Sequence, residues 1–326
     1  MIRNRAPSLW RYREALPVDD DRNIVSFQEG FTSLLNVLFD SRTVRIKQDQ
    51  LFPTGSYKDR GAAVLVSKIK ELGIREVIED SSGNAGCSIA AYCAAAGIRC
   101  HIFVPGASSP AKLHQIETYG ADLHKIPGSR EDCAQAAMIA AESTYYASHV
   151  WNSFFIHGTK TFAYEICEQM SWRVPDTVIL PVGNGTLLLG ASIGFRDLMD
   201  ARITNSLPRL IAVQAQNCAP LANAFHAKLS DIPSIVTSKT IAQGIAIAQP
   251  ARGAQILEAV RGSRGDFITV DEHEIHQAQQ DMAHQGFYIE PTAAACIAGV
   301  QKYLPLSPPD EEIVSVFTGH GLKAGH

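Results

Sequence analysis

From residue 43 onward the chain alternates short β-branched runs with helical stretches of about ten residues or more, and no other feature restricts its fold as strongly. Runs rich in Val, Ile and Thr occur at 43–46, 76–78, 101–104, 177–182, 210–214, 267–270 and 313–317. Between them the apolar spacing predicts helices over 62–72, 85–96, 111–119, 131–142, 159–170 and 186–199. Strands alternating with helices of that length imply βαβ units, and therefore parallel sheets covered on both faces. The fold class is α/β. Residues 1–40 read as an extension that packs onto this core through Trp10, Tyr12 and Leu16.

Composition removes several classes of function. At 326 residues, 46% hydrophobic and 19% charged, the chain has the length of two ordinary globular domains. Its net charge of −4 is spread without any basic run, which argues against a nucleic-acid surface. No apolar stretch approaches the ~20 residues of a membrane span, and no apolar region follows Met1–Arg5, so neither a membrane segment nor a signal peptide is expected. Seven cysteines, an odd number without a C-x-x-C pair, point to reduced thiols in a cytoplasmic protein. The histidines form no metal-type pair; His273 and His276 fall in a polar helix. No metal is expected.

Ligands of open α/β sheets bind beyond the carboxyl ends of strands, and four turns in such places carry polar groups. Pro53-Thr54-Gly55-Ser56-Tyr57-Lys58-Asp59-Arg60-Gly61 joins a predicted strand to a predicted helix. Lys58 at that helix start faces the positive end of the macrodipole, which disfavours its ammonium form and suits Schiff-base chemistry. A solvated helix start is the alternative. Ser81-Ser82-Gly83-Asn84-Ala85-Gly86 offers side chains and free N–H groups to a carboxylate or other anion, or serves simply as an N-cap. Pro181-Val182-Gly183-Asn184-Gly185-Thr186 is a strand–glycine loop–helix junction fit for a monophosphate; it lacks both G-K-[ST] and G-x-G-x-x-G. Thr318-Gly319-His320-Gly321-Leu322-Lys323 follows the last strand and lets backbone approach a flat ligand, or is only a turn near the C-terminus. A lysine, an Asn turn, a phosphate cradle and a strand-end Thr together describe a site for pyridoxal phosphate.

These motifs resemble those of the threonine synthases, within the tryptophan-synthase-β-like (fold type II) pyridoxal-phosphate enzymes. Trp10-Arg11-Tyr12-Arg13, Glu29-Gly30-Phe31-Thr32 and Glu290-Pro291-Thr292-Ala293-Ala294-Ala295 extend the likeness over nearly the whole chain, with Tyr57 where Phe is usual. The resemblance implies two three-layer α/β domains with mostly parallel sheets and the cofactor in the cleft between them. The smaller domain is expected over 52–149 and the larger over 1–51 plus 150–326. Lys58 would carry the cofactor as an internal aldimine and act as the base at Cα, and Asn84 would bond its 3′ oxygen. Gly183, Asn184, Gly185 and Thr186 would hold its phosphate, and Thr318 would meet the pyridine nitrogen. Ser81, Ser82, Ser153 and Lys160 would be candidates for binding an amino-acid substrate. The implied reaction belongs to amino-acid biosynthesis: O-phospho-L-homoserine and water give L-threonine and phosphate by elimination and β-addition. A cytoplasmic homodimer is the implied state.

Two departures bear on the substrate. The family continues N-S-x-N-P-x-R and grips substrate phosphate with that arginine, whereas here Asn152-Ser153 leads into Phe154-Phe155-Ile156-His157-Gly158-Thr159-Lys160. Lys lacks the bidentate fork of Arg, so Lys160 or His157 would have to compensate, or the substrate has no γ-phosphate. The cradle G-N-G-T is also shorter than usual, and Ser33 replaces a customary Pro. A dehydratase or β-replacement enzyme of the same fold type, acting on serine, threonine or an activated serine, is the alternative. A non-catalytic binding protein on the fold is a further one, disfavoured by the retention of Lys58 and Asn84.

Overall fold

Two sheets form, each from strands that feed a helix before the next strand is added. The computed structural model describes residues 2–40, 42–108, 110–128 and 130–324. In chain order its elements are β1 (Leu34–Phe39), β2 (Arg42–Lys47), α1 (Lys58–Glu71), β3 (Glu76–Glu79), α2 (Asn84–Ala96), β4 (Arg99–Pro105), α3 (Pro110–Thr118), β5 (Asp122–Ile126), α4 (Arg130–Ala140), β6 (Tyr145–Tyr146), α5 (Ser153–Thr159), α6 (Thr161–Gln169), β7 (Thr177–Pro181), α7 (Thr186–Asp200), β8 (Arg209–Ala215), α8 (Pro220–His226), α9 (Gly253–Gly262), β9 (Asp266–Val270), α10 (Glu272–His284), α11 (Pro291–Tyr303) and β10 (Ile313–Val316). The chain divides into two units, one holding Met1–Phe31, Leu51–Thr159 and the end from Lys323, the other Thr32–Gln50 and Lys160–Leu322.

The first unit carries the all-parallel sheet β5-β4-β3-β6. Helix α2 is built almost entirely of small residues and is buried from Ala85 to Cys93; it ends on Gly97 in the left-handed region, the usual helix stop. Residues 1–31 belong to this unit, and so do 150–159, whereas the sequence analysis expects both in the larger domain. The arm is held by Glu29, whose buried carboxylate accepts from Trp10 Nε1 (2.9 Å), Tyr92 Oη of α2 (2.9 Å), Ser26 Oγ (3.0 Å) and the Phe27 amide (2.7 Å). A buried carboxylate persists only when its lone pairs are filled, so the N-terminal arm is drawn onto α2. Burial also pushes the Glu29 carboxyl above its usual range.

The second unit carries the sheet β1-β2-β10-β7-β8-β9, parallel except for the β1–β2 hairpin. All of β7 and β10 is buried, as strands covered on both faces must be. Lys47, at the end of β2, forms a wholly buried ion pair with Glu165 of α6 (2.8 Å) and also donates to Gln169 Oε1 (2.8 Å) and Thr32 O (2.5 Å). Asp271 and Glu274 form a reciprocal capping box at the start of α10. Among the described residues no helix is long and apolar enough to cross a membrane.

Helix α5, which the sequence pattern does not reveal, packs on α1 through two glycines. A Cβ on Gly61 would sit 2.3 Å from the Phe155 ring, and one on Gly158 would sit 2.0 Å from Arg60 O. In an open helix Gly→Ala gains about 1 kcal/mol. Here the added methyl meets fixed backbone, so Gly158→Ala is expected to lose about 1–3 kcal/mol through overpacking, read as a lower urea midpoint with an unchanged slope.

Candidate active site

In the first unit, Lys58 is the first residue of α1, and the turn before it bends at Gly55, which has φ +83°. Its Nζ lies 4.8 Å from the centre of the Tyr57 ring and 5.7 Å from that of Phe155 in α5. The turn is held by Asp59, which has no exposed surface. The Asp59 carboxylate accepts from Thr54 N (2.8 Å), Thr54 Oγ1 (2.6 Å) and, by a very short bond, Ser88 Oγ of α2. Thus the acid that follows the lysine in sequence closes the loop that precedes it.

Asn84 opens α2, and its neighbour Ser81 is buried with Oγ accepting from Gly83 N at 3.3 Å. Gly86 is required here, because a Cβ would lie 2.0 Å from Ser81 O. The N-cap residue is Gly83, so the helix start has no side-chain cap. Ser82 is half-buried, and Ser153 is exposed at the start of α5. Beneath this loop lies a pair the sequence reading did not single out. The ring of His149 meets Glu79, the last residue of β3, through Nδ1–Oε1 at 2.5 Å, and His149 N donates to the same carboxylate at 3.2 Å. Its ring stands edge-on to Phe155, 6.0 Å between centres.

In the second unit, β7 leads through Val182–Gly185 into α7, whose first residue is Thr186 and which likewise has no side-chain cap. Gly185 has φ +73°, and a Cβ there would lie 2.3 Å from Ile256 Cδ1; one on Gly183 would lie 2.9 Å from Ile247 Cγ1. The glycines let the loop press against the apolar side chains behind it. Thr318 is buried just past β10, and its Oγ1 lies 3.5 Å from Glu290 Oε1. Glu290 N donates to Gly319 O at 3.0 Å, so the 290–295 and 318–323 motifs meet at the start of α11.

Lys160 stands apart from this set. Its ammonium pairs with Asp197 of α7 at 2.8 Å, and Tyr164 Oη donates to the same carboxylate. The charge expected to grip substrate is already matched within its own unit. His157 is half-buried in α5.

Burial pushes the Asp59 carboxyl up from 3.8 to about 6, against the pull of its hydrogen bonds and of Lys323. The folded state therefore holds the Asp59 proton more tightly than the unfolded chain, and this residue's contribution to stability falls as pH rises between about 4 and 6. A rise from 3.8 to about 6 corresponds to roughly 3 kcal/mol. Relative to Asp59→Asn, the wild type is expected to lose that amount across the window, measured by denaturant unfolding at a series of pH values.

Comparison with known proteins places this geometry. The pyridoxal-phosphate dependent enzyme family matches residues 25–319. The threonine synthase of Methanocaldococcus jannaschii is 37% identical over 332 aligned residues, covering 99% of this chain and 82% of that one. The threonine synthase of Mycobacterium tuberculosis is 34% identical, covering 96% and 87%. Among solved structures, maize serine racemase superposes with a TM-score of 0.80 at 20% identity, over 97% of this chain and 94% of that one. The processed form of threonine deaminase isoform 2 from Solanum lycopersicum gives 0.77 at 20%, over 98% and 87%. The structural likenesses establish the shared fold, that of the fold type II enzymes.

Proposed function

Because the chain belongs to the pyridoxal-phosphate-dependent enzyme family, we propose that it is a threonine synthase-like lyase that converts O-phospho-L-homoserine and water to L-threonine and phosphate. Near-full-length identity of 34–37% to threonine synthases supports this reading. The observation that best supports this place for the cofactor's phosphate is a strand–glycine loop–helix junction at the start of α7, with glycine at 183 and 185 and no side-chain cap. When bound, pyridoxal phosphate supplies an electron sink that acidifies the α and β positions of an amino acid.

The residues of this chain divide the remaining work. Lys58 provides the amine that holds the cofactor and moves the proton at Cα. Gly183, Asn184, Gly185 and Thr186 hold the cofactor phosphate, and Asn84 fixes the edge of the ring. Thr318 meets the ring nitrogen with a hydroxyl, a milder partner than a carboxylate, which favours elimination and replacement over transamination. Ser81, Ser82 and Ser153 are the groups proposed for the substrate, with the α-carboxylate directed to the start of α2. Lys160 is left out, since Asp197 occupies it. A cytoplasmic location fits the seven cysteines, all free and buried, and a homodimer is the assembly proposed from the resemblance.

A second reading rests on one observation: residues 153–160 contain no arginine, and the lysine among them is already paired. A substrate without a γ-phosphate, such as serine, threonine or an activated serine, would need no such grip.

Cofactor-loaded protein incubated with O-phosphohomoserine decides between them. Release of phosphate together with threonine is expected. Absence of phosphate from protein that has bound the cofactor would sink the synthase and favour the second reading. In whichever reaction is found, Lys58→Ala should lower kcat by at least about 10²–10⁴-fold, the usual worth of a positioned proton carrier.

A further inference from the structure

The chain's last described turn, Gly321–Lys323, delivers a lysine that the proposed chemistry does not use. Lys323 Nζ donates to Thr54 O (2.7 Å) and to Gln115 Oε1 of α3 (2.6 Å). Two of the three donors of its ammonium are thus spent on this corner. Gln115 is itself held, its amide donating to Thr54 O (3.2 Å) and to Tyr119 Oη (3.0 Å). Thr54 is buried, and its amide and hydroxyl both go to Asp59. Every polar group of Thr54 is therefore engaged, the carbonyl by the tail and the other two by the acid next to Lys58.

We propose that Lys323 is a positioning residue for Lys58: its ammonium fixes the Thr54 carbonyl and balances the buried Asp59 charge, and so sets how Lys58 leaves the first turn of α1. The proposal rests on the proposed function only in taking Lys58 as the amine that holds the cofactor. Two properties favour it. The turn from Thr54 to Asp59 is clamped on both sides, by Lys323 at the Thr54 carbonyl and by Ser88 of α2 at the Asp59 carboxylate. The charge of Lys323 also acts on buried Asp59, holding its carboxyl lower than burial alone would. Without that charge Asp59 would take up a proton more readily, and at least one of its donors would have to reorient.

The test replaces Lys323 by Met, which keeps the stem and removes the charge, and by Gln, which restores a donor. Gln115→Leu removes one acceptor and leaves the charge in place. Wild type and variants are titrated with pyridoxal phosphate, and the visible band of the bound cofactor is followed against pH. Lys323→Met is expected to weaken cofactor binding by about tenfold or more, as loss of a buried charged partner does. It should also move the midpoint of the spectral titration and lower kcat with little change in KM. Lys323→Gln should recover part of each effect, and Gln115→Leu should show the same shifts at smaller size. If Lys323→Met does not fold, Gln115→Leu decides by the same readouts. A variant that is less stable but matches wild type in cofactor affinity and spectral midpoint overturns the proposal, because Lys323 then only holds the fold. These readouts do not depend on the substrate, so they stand even if O-phosphohomoserine is not turned over. Wild-type protein that takes up no cofactor would overturn both.

Discussion

The first unit depends on one buried charge. Asp59 has no contact with water, yet it accepts three hydrogen bonds within a single turn and the helix packed beside it. Hydrogen bonds to a charged group contribute about 1.5–3 kcal/mol each and offset only part of what burial of the ion costs, which is why the carboxyl is pushed up to about 6. The result is a turn without freedom. Lys58 projects from the residue between Tyr57 and Asp59, so whatever fixes Asp59 fixes the root of Lys58. Ser88 lies one helical turn beyond Asn84, and its bond to Asp59 ties the lysine loop to the helix that carries the asparagine. In the role proposed for Lys58 such a root matters, because misplacement by about 1 Å can cost on the order of 10²-fold in rate.

The second unit solves a different problem with different means. The proposed phosphate site relies on backbone rather than on a charged side chain, and α7 begins without a side-chain cap behind Gly185. Ile247 and Ile256 back the loop so closely that no side chain could stand at Gly183 or Gly185. Those two positions are glycine for the sake of the wall behind the loop as much as for the ligand in front of it. At the far end of the same unit, Gly319 admits the Glu290 carboxylate, to which a Cβ would come within 2.3 Å. The contact sets a carboxylate behind Thr318 and orients its hydroxyl.

These two kinds of constraint were unequally visible in the sequence. The α/β class followed from periodicity, because every β-branched run from 43 onward did become a strand. The turns at Lys58, Asn84, Gly183–Thr186 and Thr318 were legible because glycine, proline and a helix start leave local marks. The supports were not. Lys323 and Thr54 are 269 residues apart, and Glu29 and Tyr92 are 63 apart; nothing local marks either pairing. For the same reason the expected place of the N-terminal arm in the larger domain differs from the division seen, since Val25 N–Ser67 Oγ and Glu29–Tyr92, bonds between distant residues, join it to the first unit. Helix α5 escaped because Phe154-Phe155-Ile156 reads as a plain apolar run, and its helical state is set by packing against Gly61 rather than by its own pattern.

That packing also bears on the substrate. The segment that in the threonine synthases presents N-P-x-R is here a short helix pressed into α1, with Gly158 against the Arg60 carbonyl and Phe155 against Gly61. A helix held that closely can present only the side chains on its outer face, and Phe155 and Ile156 are spent on the core. The residue just beyond it, Lys160, is drawn to Asp197 and Tyr164. A new grip on a γ-phosphate would therefore have to come from groups that contact it without a fork, such as the hydroxyls of Ser81, Ser82 and Ser153 and the start of α2. Hydroxyls and N–H groups bind a dianion less tightly than a guanidinium, so even a working synthase on this scaffold should hold its phosphorylated substrate weakly. Loss of the arginine thus weighs on substrate affinity and leaves Lys58 and its supports untouched.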